Sequence, residues 1–184
     1  MQLQVLAGDA QVLAHTSLSA PRRRGLSHRI AGSLSGLRLL ARQYLQAAQR
    51  SAPALLSGID ALHREYAHGR WDELARRSRA LARKYPPDLR GLRPRQAGSD
   101  DLRRGRRLYR HLCMGCHAHP DPHRDNPAPD LFAMARRLPE REFISRLVTG
   151  VHGTPGVALH NPFSDPENAG LAAFLLKSTK KGRP

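Results

Sequence analysis

Five consecutive residues, Cys113-Met114-Gly115-Cys116-His117, hold the only two cysteines of the 184-residue chain. Two thiols three positions apart fall on one edge of a single backbone turn, and the histidine directly behind them adds an imidazole. Two cysteines so spaced and followed by a histidine suit covalent attachment of a haem. Each sulfur forms a thioether with a vinyl group, and a neutral nitrogen of His117 ligates the iron from the proximal side. A zinc site could instead use Cys113, Cys116 and two of His117, His119 and His123. Structural zinc sites, however, draw their ligand pairs from two separated loops, and there is no second cysteine pair. A thiol–disulfide redox pair would want a preceding strand in a βαβ context, which the sequence does not offer. The haem reading leads, with one covalently held haem c as the expected cofactor.

These residues have to be delivered by the flanking elements. Ser99 or Asp100 can cap a helix over 101–112, with Asp101 near its positive end, and that helix runs straight into Cys113. Residues 118–129 are an irregular stretch of prolines and histidines. A short helix is predicted over 131–138. Pro139 opens another, with Glu140 and Glu142 in its first turn and Phe143, Ile144, Leu147 and Val148 along it as far as Gly150. Turn formers fill 153–162, and a last helix over 166–177 carries Leu171, Phe174 and Leu175. Residues 179–184 form a basic tail.

Upstream, residues 1–36 mix glycine and serine with apolar residues, and no sustained period emerges; they are expected to be loosely ordered. The spacing of Leu37, Leu39, Leu40, Tyr44, Leu45 and Ala48 predicts a helix over 37–51. Pro53 suits the first turn of the next helix, which bears Leu55, Leu56, Ile59, Leu62 and Tyr66. A third runs over 71–84 and is stopped by Tyr85-Pro86-Pro87. Tyr66, Gly69, Trp71 and Pro86 resemble the spacings of a single tetratricopeptide repeat, although an ordinary αα-hairpin is the simpler reading. Either hairpin needs a neighbour to cover its apolar face, expected to be the haem-bearing segment or a partner. The hairpin region is placed at 37–87, and residues 88–98, rich in Pro, Gly and Arg, are expected to be a linker.

Residues 99–178 resemble a class I c-type cytochrome domain. Gly105 and Tyr109 resemble the glycine–aromatic pair of that family's first helix, with Phe174 as the facing aromatic of the last. Pro139, Gly150 and Ser164-Asp165 match the ends of its later helices. The resemblance implies an all-α fold, with about four short helices around a covalently bound haem and the N-terminal hairpin as an extension. It also implies that the Pro129 carbonyl accepts the second ring proton of His117. One departure stands out. The family supplies a methionine to the distal face of the iron from the loop before the last helix, and Gly156-Val157-Ala158-Leu159-His160 contains none. His160 is then the candidate distal ligand, with His152 the other nearby donor, or the sixth position is open.

Composition narrows the partners. The net charge is +16 and the pI near 11.4. Residues 1–98 hold 17 Lys/Arg against 6 Asp/Glu, a net of +11, and residues 99–184 hold 14 against 9, a net of +5. An acidic redox partner protein or an anionic membrane surface is expected. No nucleic-acid motif accompanies the charge and aromatic stacking residues are scarce, so nucleic acid is not expected. No stretch approaches the ~18 apolar residues of a membrane span.

No catalytic nucleophile or acid–base pair emerges, so an enzyme is not expected. The reading is electron transfer by a monohaem c-type cytochrome. The alternatives are a haem-based small-molecule binder or sensor, and a basic zinc-binding or interaction module. Haem c chemistry implies a periplasmic or otherwise exported protein, yet residues 1–20 lack the basic start of a signal peptide. Either the biological start lies elsewhere, or residues 22–41 are a degenerate leader, or the haem is never attached.

Overall fold

The computed structural model describes residues 1–94, 97–119, 121, 127–150 and 161–178, and every regular element among them is helical. They group into two compact units, residues 1–87 and the residues from Asp88 onward.

The first unit has five helices: α1 Gln2–His15, α2 Ala20–Ser35, α3 Leu37–Ala47, α4 Pro53–Ala67 and α5 Trp71–Lys84. Two of these replace the loose order expected for residues 1–36. Leu3, Leu6, Ala10 and Leu13 recur at three and four and are buried, as are Leu26, Ile30 and Leu34 at intervals of four. Small residues such as Gly8, Gly25 and Ser33 lower the local helix propensity and hide this period, but packing outweighs propensity. Leu26, Ile30, Leu34, Leu37 and Ala41 all belong to the unit's core, so residues 22–41 are built into the fold.

The hairpin of α4 and α5 turns through Gly69, whose φ of +63° is a conformation that glycine adopts at little cost. Tyr66 and Trp71 meet edge to face across the turn, with centroids 5.7 Å apart. The hairpin's neighbour lies within its own unit, because α1 packs along α5. The helices are also tied by charge. Asp9 is fully buried, and Arg29 of α2 grips it with Nε 2.7 Å from Oδ2 and Nη2 2.6 Å from Oδ1. Glu65, also buried, takes Arg70 at 2.5 Å and Arg77 at 3.3 Å.

The second unit comprises α6 Ser99–Leu108, a π-helical turn Tyr109–Cys113, α7 Met114–His117, α8 Leu131–Arg137, α9 Glu140–Thr149 and α10 Asp165–Ser178. The cap of α6 falls one residue earlier than expected. Gly98 is the N-cap, and the Asp101 carboxylate accepts its backbone N–H at 3.0 Å. The residues expected to be a linker belong to this unit: Leu89 and Leu92 are buried, and Lys177 Nζ donates to the Ala97 carbonyl at 3.0 Å. The basic tail lies outside the described residues.

Residues Leu171 to Leu176 of α10 are all buried, and this helix packs on α6, α8 and α9. Its crossing with α6 is made by two glycines set back to back. A Cβ on Gly105 would collide with the Gly170 carbonyl group and lie 2.9 Å from Phe174 Cβ. A Cβ on Gly170 would lie 2.8 Å from the Asp101 carbonyl oxygen.

Candidate functional site

The two cysteines and His117 leave the α6 helix through a widened turn. Residues 101–112 were expected to be one regular helix, but from Tyr109 to Cys113 the backbone opens into a π-helical turn before regular winding resumes at Met114. Such turns occur frequently at functional sites. The Tyr109 ring is buried where the turn begins, 5.0 Å from Phe132 of α8 and 5.8 Å from Phe174 of α10. Phe132 and Phe174 lie 5.8 Å apart, so three rings join the root of the turn to two other helices. Aromatic pairs in these edge and tilted arrangements add to plain area burial.

Cys113 is half-buried and Cys116 exposed, and they are not joined in a disulfide. Burial pushes the Cys113 thiol up, which keeps it protonated. Leu112 and Met114, on either side of Cys113, are 64% and 43% exposed and present an apolar rim to solvent. Among the described residues no three His, Cys, Asp or Glu side chains converge as a metal-ion cluster.

His117 ends α7, and its Nδ1 lies 2.7 Å from the Pro129 carbonyl oxygen. A carbonyl only accepts, so Nδ1 carries the proton, and the neutral ring keeps its lone pair on Nε2. Pro129 is itself held by the start of α8. Asp130 caps that helix, its Oδ1 accepting from Phe132 N at 2.8 Å and Ala133 N at 3.1 Å. An aspartate directly before an apolar run is a start signal visible in sequence.

The distal candidates, His160 and His152, lie outside the described residues, as does His123. Met134 sits half-buried within α8. The chain is anchored where it re-enters at Asn161, and this anchor escaped the sequence reading. Asn161 Nδ2 donates to the Leu147 carbonyl at 2.5 Å and to Asn168 Oδ1 at 2.6 Å, while its Oδ1 accepts from Phe163 N at 2.8 Å. Asn168, buried in α10, donates to the Phe163 carbonyl at 3.0 Å. The Asn161-Pro162 pair signals a turn, but nothing local marks Asn168 as its partner. Asn168→Ala should cost about 1–3 kcal/mol, because it strips partners from buried polar groups. Chemical denaturation of the full chain, followed by circular dichroism, would measure that cost.

Residues 100–175 match the family model described as cytochrome C oxidase, cbb3-type, subunit III. No curated protein and no solved structure matches the chain. The family match covers α6 to α10 nearly end to end, and on that basis this part of the chain is a c-type cytochrome domain.

Proposed function

We propose that the protein is an electron carrier with a single haem c, held by thioethers to Cys113 and Cys116 and ligated at iron by His117. The observation that carries this reading is the hydrogen bond from His117 Nδ1 to Pro129. It leaves Nε2 as the only free donor nitrogen of the ring, holds the ring's orientation and raises its basicity. The residues fit the group in two further respects: both thiols are free, and Leu112 and Met114 offer apolar surface beside the attachment turn. When bound, the haem supplies a one-electron iron couple. Arg106, Arg107 and Arg110 lead into the motif without an acidic partner among the described residues, which suits an acidic redox protein as donor or acceptor. A periplasmic location belongs to the same reading.

The test is expression with export alongside a haem-attachment system, followed by a haem-stained denaturing gel. The wild-type band should stain, and Cys113→Ala or Cys116→Ala should lose most of the stain. An unstained wild type after confirmed export would end the proposal.

A second reading, a sensor or binder of small molecules, is favoured by the lack of any methionine from Gly156 to His160. The ferric spectrum of the same preparation should then lack a methionine–iron charge-transfer band. Rapid uptake of carbon monoxide by the reduced protein would support the sensor over the carrier.

A further inference from the structure

We propose that α3 is a docking face that lays the chain on an anionic lipid surface. One side of this helix is spent on the fold: Leu37, Ala41 and Leu45 are buried where it rests on α2 and α4. The other side is apolar as well. Leu39 is 61% exposed, Leu40 53% and Tyr44 52%, with Leu40 and Tyr44 one turn apart. Among the described residues the other exposed large hydrophobic side chains, Leu112 and Met114, border the haem motif, so within residues 1–87 such side chains fall on α3.

Charge decides what can cover that face. Residues 1–87 hold 14 Lys/Arg against 5 Asp/Glu, a net of +9. Each of those five acids is already paired: Asp9 with Arg29, Asp60 with Arg38, Glu65 with Arg70 and Arg77, Asp72 with His15, and Glu73 with Arg76 and Arg77. No acid lies on α3 itself. Arg42 on the helix and Arg50 just beyond it are exposed and have no acidic partner among the described residues.

The first unit of a second copy would bring the same positive charge, with each of its own five acids already paired. An anionic bilayer brings the opposite sign and an apolar interior together. A helix with leucines and a tyrosine on one face and arginines at its flank is built to lie in such an interface, the tyrosine at headgroup depth. This inference concerns the first unit and goes beyond electron transfer; it holds or fails whether or not haem is attached.

Co-sedimentation of the full chain with phosphatidylcholine vesicles, with and without phosphatidylglycerol, tests it. The chain should bind the phosphatidylglycerol vesicles, and binding should fall as salt rises. The double variant Leu40→Ser, Tyr44→Ser should bind at least ~10-fold more weakly, because the buried apolar area is lost. Both side chains are exposed, so this variant should keep the wild-type circular dichroism melt. In Leu40→Trp, the emission should shift to the blue on phosphatidylglycerol vesicles and not on phosphatidylcholine alone. A wild type that ignores phosphatidylglycerol vesicles would overturn the proposal. So would a double variant that binds as well as wild type, since adhesion would then be bulk charge. A dimer in size-exclusion chromatography that the double variant abolishes would assign the face to a second copy instead.

Discussion

Gly105→Ala should unfold the cytochrome domain or leave it barely folded. The added methyl group would have to occupy the space of the Gly170 carbonyl group, with Phe174 Cβ only 2.9 Å away. The carbonyl carbon and oxygen are backbone, which has no rotamer to change, so the α6 and α10 axes would have to separate. Separation exposes the buried run from Leu171 to Leu176. Overpacking of a tight contact costs about 1–3 kcal/mol when side chains can move, and a backbone collision belongs at or above that limit. A fall in Tm of more than about 10 °C is expected in a thermal melt of the full chain. Gly36 supplies the control. It lies between α2 and α3 with helical angles, and a Cβ there meets nothing within 4 Å. Gly36→Ala should therefore be neutral or stabilise by up to about 1 kcal/mol. Equal melting of the two variants would mean that the helices do not cross this closely.

Asp9→Asn is the second large effect. It leaves the Arg29 guanidinium, partly shielded from solvent, facing a neutral amide across a contact that now holds a carboxylate in a two-pronged grip. Removing one member of a buried ion pair costs about 3–5 kcal/mol, mostly through the charge left behind. Replacing both members changes the result. The double variant Asp9→Leu, Arg29→Met removes the stranded charge and should recover most of the loss, since apolar pairs of similar volume often match a buried ion pair. Urea unfolding of wild type, single and double variants, monitored by helical ellipticity, would measure each cost. A single variant within about 1 kcal/mol of wild type would show that the pair does not hold α1 to α2.

Much of the second unit can be read in the sequence because its signals are local. The turn that carries Cys113, Cys116 and His117 directly follows a helix whose start is marked by Asp100 and Asp101. Pro139 with two glutamates behind it, and the apolar repeat of α10, mark helix ends and faces without reference to any other part of the chain. The helices from α3 to α5 are legible for the same reason, their edges falling at Pro53, Gly69 and Pro86. Legibility fails where the deciding partner is distant. Residues 1–35 become two helices because Leu6 and Leu13 meet a core built by α5, and their own composition argues weakly for it. The hydrogen bonds of Asn168 depend on Asn161 and Phe163 across a turn. The π-helical turn departs from the 3.6-residue period without any residue that announces it, and the rings that meet Tyr109 at its root, Phe132 and Phe174, come from distant helices.

The back-to-back glycines also bear on how this domain can change over evolutionary time. Gly105 and Gly170 clasp the first and last helices of the second unit, so the 64 residues between them form one closed loop. Once such a loop is closed, lengthening it is cheap: doubling its length adds only about 0.6 kcal/mol of closure entropy. Insertions and deletions between α7 and α8, or between α9 and α10, therefore leave the clasp almost untouched. The stretch that ends in Pro129 and the one from residue 151 to 160 both lie inside that loop. Either stretch can therefore change in length at little cost, while a side chain at Gly105 or Gly170 would push the two helices apart.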